Sequence, residues 1–151
     1  MPGDHPDLPA AHCASAHCQA SPDAALAFLA DGLALGRWAL GCWQTEAVGG
    51  GVVRGRSLFD DQPSWVRPEA DAAAMTVTYH VGAAPDALQP RIRARIEPGA
   101  DTGSCRISLL ASRGDMDDDR WLRLVRCHEL EVLLIQARLA LPAPAPVSTH
   151  E

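Results

Sequence analysis

The sequence contains no lysine: all 13 basic residues are arginine. Schiff-base catalysis is thereby excluded, because that chemistry needs a lysine amine. Alanine and proline are abundant beside the arginines, a combination that points to GC-rich coding of a bacterial kind. The basic residues are outnumbered by 19 acidic ones, giving a formal charge of −6. No basic excess is there to neutralise phosphates, so a general nucleic-acid binder is excluded and no nucleic-acid partner is expected. No apolar run reaches the roughly 20 uninterrupted residues of a bilayer span, so no membrane span is expected either. The opening segment, MPGDHPDLPAAHC, lacks the basic and apolar regions of a secretory signal. Five cysteines, Cys13, Cys18, Cys42, Cys105 and Cys127, are odd in number and too scattered for a disulfide framework. Reduced thiols and a cytoplasmic location are the expectation.

Several catalytic signatures are missing as well. HELEV (128–132) places Val132 where the second histidine of the H-E-x-x-H zinc motif would stand. VGGGVVRG (48–55) lacks the P-loop lysine, and no G-x-S-x-G elbow occurs. HCASAHC (12–18) has the look of metal spacing, but residues five apart on a strand face opposite ways. Cys13 and His17 share a face and lie roughly 13 Å apart, too far to hold one ion at about 2.3 Å. Asp117, Asp118 and Asp119 read as the charged first turn of a helix rather than a cation site. Cys127 and His128 are helix neighbours about 100° apart and form no dyad. Cys42 is a candidate thiol only where exposed. No metal and no cofactor are expected.

What is present organises one domain. The 151 residues suit a single full core, flanked by proline-rich tails at 1–10 and 142–151, with the domain at 11–141. The apolar stretch AFLADGLALGRWALGCW (27–43) is broken by Gly32, Gly36 and Gly41. Ser21 as N-cap and Pro22 at the first helical position open one helix, which Asp31–Gly32 ends. LALGRWAL (33–40) follows as a second short helix, and a strand begins near Trp43. A glycine turn at 49–51 leads into GGGVVRGRSLFDD. AMTVTYHVG (74–82) then alternates Met75, Val77, Tyr79 and Val81 against Thr76, Thr78 and His80. PRIRARIEPG (90–99) sets Ile92, Ala94 and Ile96 opposite Arg91, Arg93 and Arg95. SCRISLLAS (104–112) does the same with Cys105, Ile107, Leu109 and Ala111. This pattern marks an antiparallel sheet wet on one face. The arginine row, with Arg106, reads as that wet face, phosphate binding being the alternative. A helix from the aspartates to about Leu141 covers the other face. Its apolar stripe carries Trp121, Val125, Val132, Ile135 and Leu139. Leu130, Leu133 and Leu134 spread apolar surface further round, which leaves room for a homodimer.

Strand, two short helices, a run of antiparallel strands and one long closing helix: this order resembles the helix-grip fold of the START-domain and birch-pollen-allergen-like superfamily (SRPBCC). Within it, the polyketide cyclase/dehydrase-like bacterial proteins are the nearest pattern. The resemblance is carried by HCASAHCQA (12–20), SPDAALAFLADGLALGRWALG (21–41) and WLRLVRCHELEVLLIQARLA (121–140), and it covers residues 11 to 141. It implies an α+β domain whose curved sheet wraps the long helix and leaves a cavity between them, with the short helices at its mouth. It further implies a small hydrophobic or amphipathic molecule as partner, without by itself implying catalysis.

Trp38, Phe59, Tyr79, Ile107, Trp121, His128 and Val132 are the candidate cavity contacts. His128 lies within about 20° of Trp121 and Leu139 on the helical wheel, so it faces the cavity. Glu131, one turn on, borders the stripe and can orient the imidazole. An imidazole so placed can anchor a polar ligand group or serve as acid or base. Three functions stay open at this point: binding of an apolar ligand, a cofactor-free cyclase, dehydratase or hydrolase using His128, and a protein-interaction module.

Overall fold

A computed structural model describes residues 8–141. The tails read at 1–10 and 142–151 fall outside it, apart from residues 8–10. Strand β1 (Ala11–Cys18) leads to helix α1 (Pro22–Ala30), capped by the Ser21 hydroxyl, which accepts from the Ala24 N–H at 3.2 Å. Asp31 closes α1 and caps α2 (Gly32–Leu35), accepting from the Leu33 N–H at 2.9 Å. The second helix is thus a single turn, shorter than the 33–40 read from the sequence. Gly36 ends it because β2 (Trp43–Gly49) passes directly beneath: a Cβ there would sit 2.4 Å from the Thr45 nitrogen. Thr45 fixes the crossing by donating to the Gly32 carbonyl at 2.7 Å.

The strands β3 (Val52–Arg56), β4 (Pro63–Asp71), β5 (Thr76–Gly82), β6 (Gln89–Pro98) and β7 (Cys105–Ser112) complete one antiparallel sheet, ordered β1-β7-β6-β5-β4-β3-β2. Gly49, Gly50 and Gly51 all have positive φ, which turns β2 into β3 at no steric cost. Strand β4 is the element the sequence hid, since Pro63 and Pro68 break its pattern. Pro68 is tolerated because the β3 pairing stops at Val53–Val66, leaving that stretch of β4 on a locally free edge.

Inward residues Val66, Val77, Tyr79, Ala94, Ile96, Ile107 and Leu109 build the core on the concave face. Helix α3 (Asp118–Ala140), capped by Asp117, closes over it, chiefly against β1. Trp121, His128, Glu131, Val132 and Ile135 are its buried residues. The architecture is the α+β helix-grip arrangement, a sheet gripping one long helix. No described helix is long and apolar enough to cross a membrane.

Candidate functional site

On α3, residues 120, 123, 124, 127, 128 and 131 fall at helical spacings that bring their side chains to one flank. That flank faces the gap between the helix and strands β4 to β6. His128 is 2% exposed and Glu131 6%. His128 Nε2 stands 3.9 Å from Glu131 Oε1, and Glu131 Oε2 accepts the Leu40 N–H at 2.9 Å. The carboxyl therefore pins the loop after α2 to the long helix. Among the described residues His128 Nδ1 is buried without a hydrogen-bond partner, and so is Nε2 of His12, whose ring centroid lies 6.4 Å away.

Burial dominates the protonation of this pair. It pulls the His128 pKa down to about 4, with the neighbouring His12 adding to the effect. It pushes Glu131 up to about 8, partly offset by the Leu40 amide. At neutral pH the imidazole is uncharged and the carboxyl protonated, an acceptor and a donor side by side in a dry site.

Two spaces meet at these residues. The inner one, about 100 Å³, is walled by Leu35, Trp38, Ala39, Cys42, Val66 and Tyr79. The outer one, about 210 Å³, is a vestibule bounded by Phe59, Met116, Leu124 and Cys127 with Arg91, Arg120 and Arg123. Gly41, Val81, Ile92, His128 and Glu131 border both. Trp38 is 3% exposed and meets Tyr79 edge-on at 5.7 Å, yet its indole N–H finds no acceptor among the described residues. Tyr79 is satisfied, because its hydroxyl donates to the Leu29 carbonyl at 2.7 Å. Full burial holds its pKa well above the ordinary value. Cys42 and Cys127 are both pushed up to about 11, mainly by burial, so neither is a ready thiolate. Among the described residues, no three His, Cys, Asp or Glu side chains converge to hold a metal ion.

The candidate contacts thus separate by place. Trp38, Tyr79 and His128 line the inner cavity, and Phe59 with His128 lines the vestibule. Ile107, Trp121 and Val132 lie in the packed interior, where Trp121 donates to the Pro9 carbonyl at 2.9 Å, and border neither space. Sequence reasoning missed Val81, Ile92 and the three vestibule arginines. The 120-123-124-127-128-131 spacing was the available signal for Arg120 and Arg123. Arg91 was legible only as a member of the outer arginine row, whose alternative reading was a phosphate site.

No family model and no curated protein matches the sequence. Solved structures do match in shape. The Zhui aromatase/cyclase from Streptomyces sp. R1128 superposes with a TM-score of 0.61 at 15% identity, covering 85% of this chain and 92% of that one. A START superfamily protein from Mycobacterium smegmatis gives 0.59 at 12% identity over 85% and 96% of the two chains. The Aha1 dimer from Colwellia psychrerythraea gives 0.63 at 15% identity over 85% and 95%. At these identities the likeness is one of fold: this chain has the START-like helix-grip fold expected from its element order.

Proposed function

We propose, on the premise of a helix-grip fold with a cavity under its long helix, that the protein binds a small hydrophobic or amphipathic molecule in the cytoplasm. The observation that carries this reading is Trp38, which lines a mainly apolar cavity and whose buried indole N–H has no acceptor among the described residues. Buried donors are almost always partnered, and an orphan at a cavity wall is where a ligand acceptor belongs. His128, which borders both spaces and whose buried Nδ1 has no partner among the described residues, supports the same assignment. Free cysteines throughout the described residues suit a reducing compartment.

The test is thermal unfolding against lipids, aromatic polyketides and acyl compounds. A ligand at one hundred times its Kd raises the melting temperature by about 5–10 °C for a chain of this size. Val81→Phe, which fills the neck between the two spaces, removes that shift. A panel that stabilises neither protein, or both equally, contradicts the proposal.

A second reading, a cofactor-free enzyme of the cyclase, dehydratase or hydrolase kind, is favoured by the protonation of the His128–Glu131 pair. A neutral imidazole beside a protonated carboxyl at a cavity wall can take and return a proton. The aromatase/cyclase among the matching folds supports this reaction class. His128→Asn distinguishes the two: retained binding with lost turnover assigns catalysis to the imidazole. A homodimer belongs to the proposal through Leu130 and Leu133, which stand exposed one turn apart on α3. Light scattering reads it.

A further inference from the structure

The vestibule is not electrically neutral. Arg91, Arg120 and Arg123 border it, and none of them is in an ion pair among the described residues; the arginines that are paired there are Arg54, Arg56, Arg95 and Arg113. Three guanidinium groups around one opening, none paired with a described residue, stand out on a chain whose formal charge is −6. Each arrives by a specific structural device.

Arg91 belongs by sequence to the outer row with Arg93 and Arg95. A bulge interrupts the row there: Tyr79 pairs with Ile92 and His80 with Pro90, so Arg91 is the extra residue, enters neither ladder of β6, and borders the vestibule as well as the outer groove it shares with Arg93 and Arg95. Bulges re-aim side chains in this way, and here the result is an arginine at the rim of the opening. Arg123 is held by Phe59, its guanidinium carbon 5.3 Å from the ring centroid. Arg120 stands one turn before Arg123 on the same flank of α3. From Arg123 the helix rises about 12 Å to Glu131, so charge at the mouth gives way to neutral polar groups at depth.

We infer that the ligand is an amphipathic anion, its carboxylate or similar oxyanion held at the mouth by Arg91, Arg120 and Arg123 and its apolar body reaching inward to Trp38 and His128. This deepens the cavity reading and rests on it. Guanidinium groups bind planar oxyanions with paired, charge-assisted hydrogen bonds, and at an exposed rim such binding is screened by salt. The apolar vestibule walls, Phe59, Met116 and Leu124, fit the segment next to the head group.

The experiment compares matched probes of one shape and different charge: decanoate, 1-decanol and decylamine, with 2-naphthoate and 2-naphthol as a flat pair. Titration calorimetry is expected to give the anion at least tenfold tighter binding than its neutral partner, with the amine weakest. Raising the salt from about 0.05 to 0.5 M weakens the anion and leaves the alcohol unchanged. Arg120→Gln/Arg123→Gln brings the anion down to the level of the alcohol, while Arg106→Gln on the outer sheet face leaves the preference intact. Equal affinity for anion and alcohol overturns the inference and leaves the cavity reading standing. Binding by no member of either series overturns both.

Discussion

Replacing Trp121 with alanine is expected to lower the free energy of unfolding by about 3–5 kcal/mol, the usual cost of emptying a large aromatic site. The indole is fully buried beneath the first turns of α3, edge-on to His12 at 6.5 Å. Its N–H also holds the chain before β1 through the Pro9 carbonyl. Truncation opens a void between helix and sheet and releases that carbonyl. Trp121→Phe separates the two contributions, since it keeps most of the volume and loses the hydrogen bond, worth about 1 kcal/mol. Domains of this size hold about 5–15 kcal/mol in all, so the alanine variant gives up a large share. Urea unfolding reads the effect as a lower midpoint at unchanged slope. A loss below about 1 kcal/mol would mean that the start of α3 is not docked as described.

Stability is also expected to fall by about 1–1.5 kcal/mol between pH 6.5 and 8. The sign follows from Glu131, whose pKa rises from 4.5 to about 8 on folding because its carboxyl is buried. In that window the native state keeps a proton that the unfolded chain has lost, so the stability present at lower pH drains away as pH rises. His128 works the other way, its pKa falling from 6.5 to about 4 on folding. Between pH 4.5 and 6.5 the two slopes oppose each other, giving a plateau; the His128 contribution fades between pH 6.5 and 7.5, and Glu131 then dominates. Glu131→Gln keeps the bond from Leu40 and flattens the decline. A wild-type protein equally stable at pH 6.5 and 8 would contradict the buried neutral carboxyl.

Periodicity made much of the fold legible. Period-2 alternation in 75–81, 91–96 and 105–111 yields β5, β6 and β7, because a sheet with one wet face writes its pleat into the sequence. Ser21, Pro22 and the aspartates before Trp121 mark their helix starts through capping chemistry. Strand β4 was illegible because proline hid it, and its tolerance depends on how far its neighbour β3 extends. The site divides along the same line. His128 was legible because a helical wheel places it, and Glu131 follows at i+3. That Glu131 also binds the Leu40 amide depends on where a loop 91 residues away comes to rest. Arg91 alternates with its row in sequence, and its reach to the vestibule was hidden, since a bulge is a property of strand pairing.

The most direct test of the central claim is the indole region of a 1H–15N spectrum, recorded with the compound that most stabilises the protein. Four tryptophans give four indole N–H signals. Trp38, buried at the cavity and unpaired, is expected to move on binding, assigned by its loss in Trp38→Phe. Trp121, already bonded to Pro9, is expected to stay. A saturating ligand that leaves Trp38 in place while shifting Trp43 or Trp65 would locate binding elsewhere and contradict the cavity account.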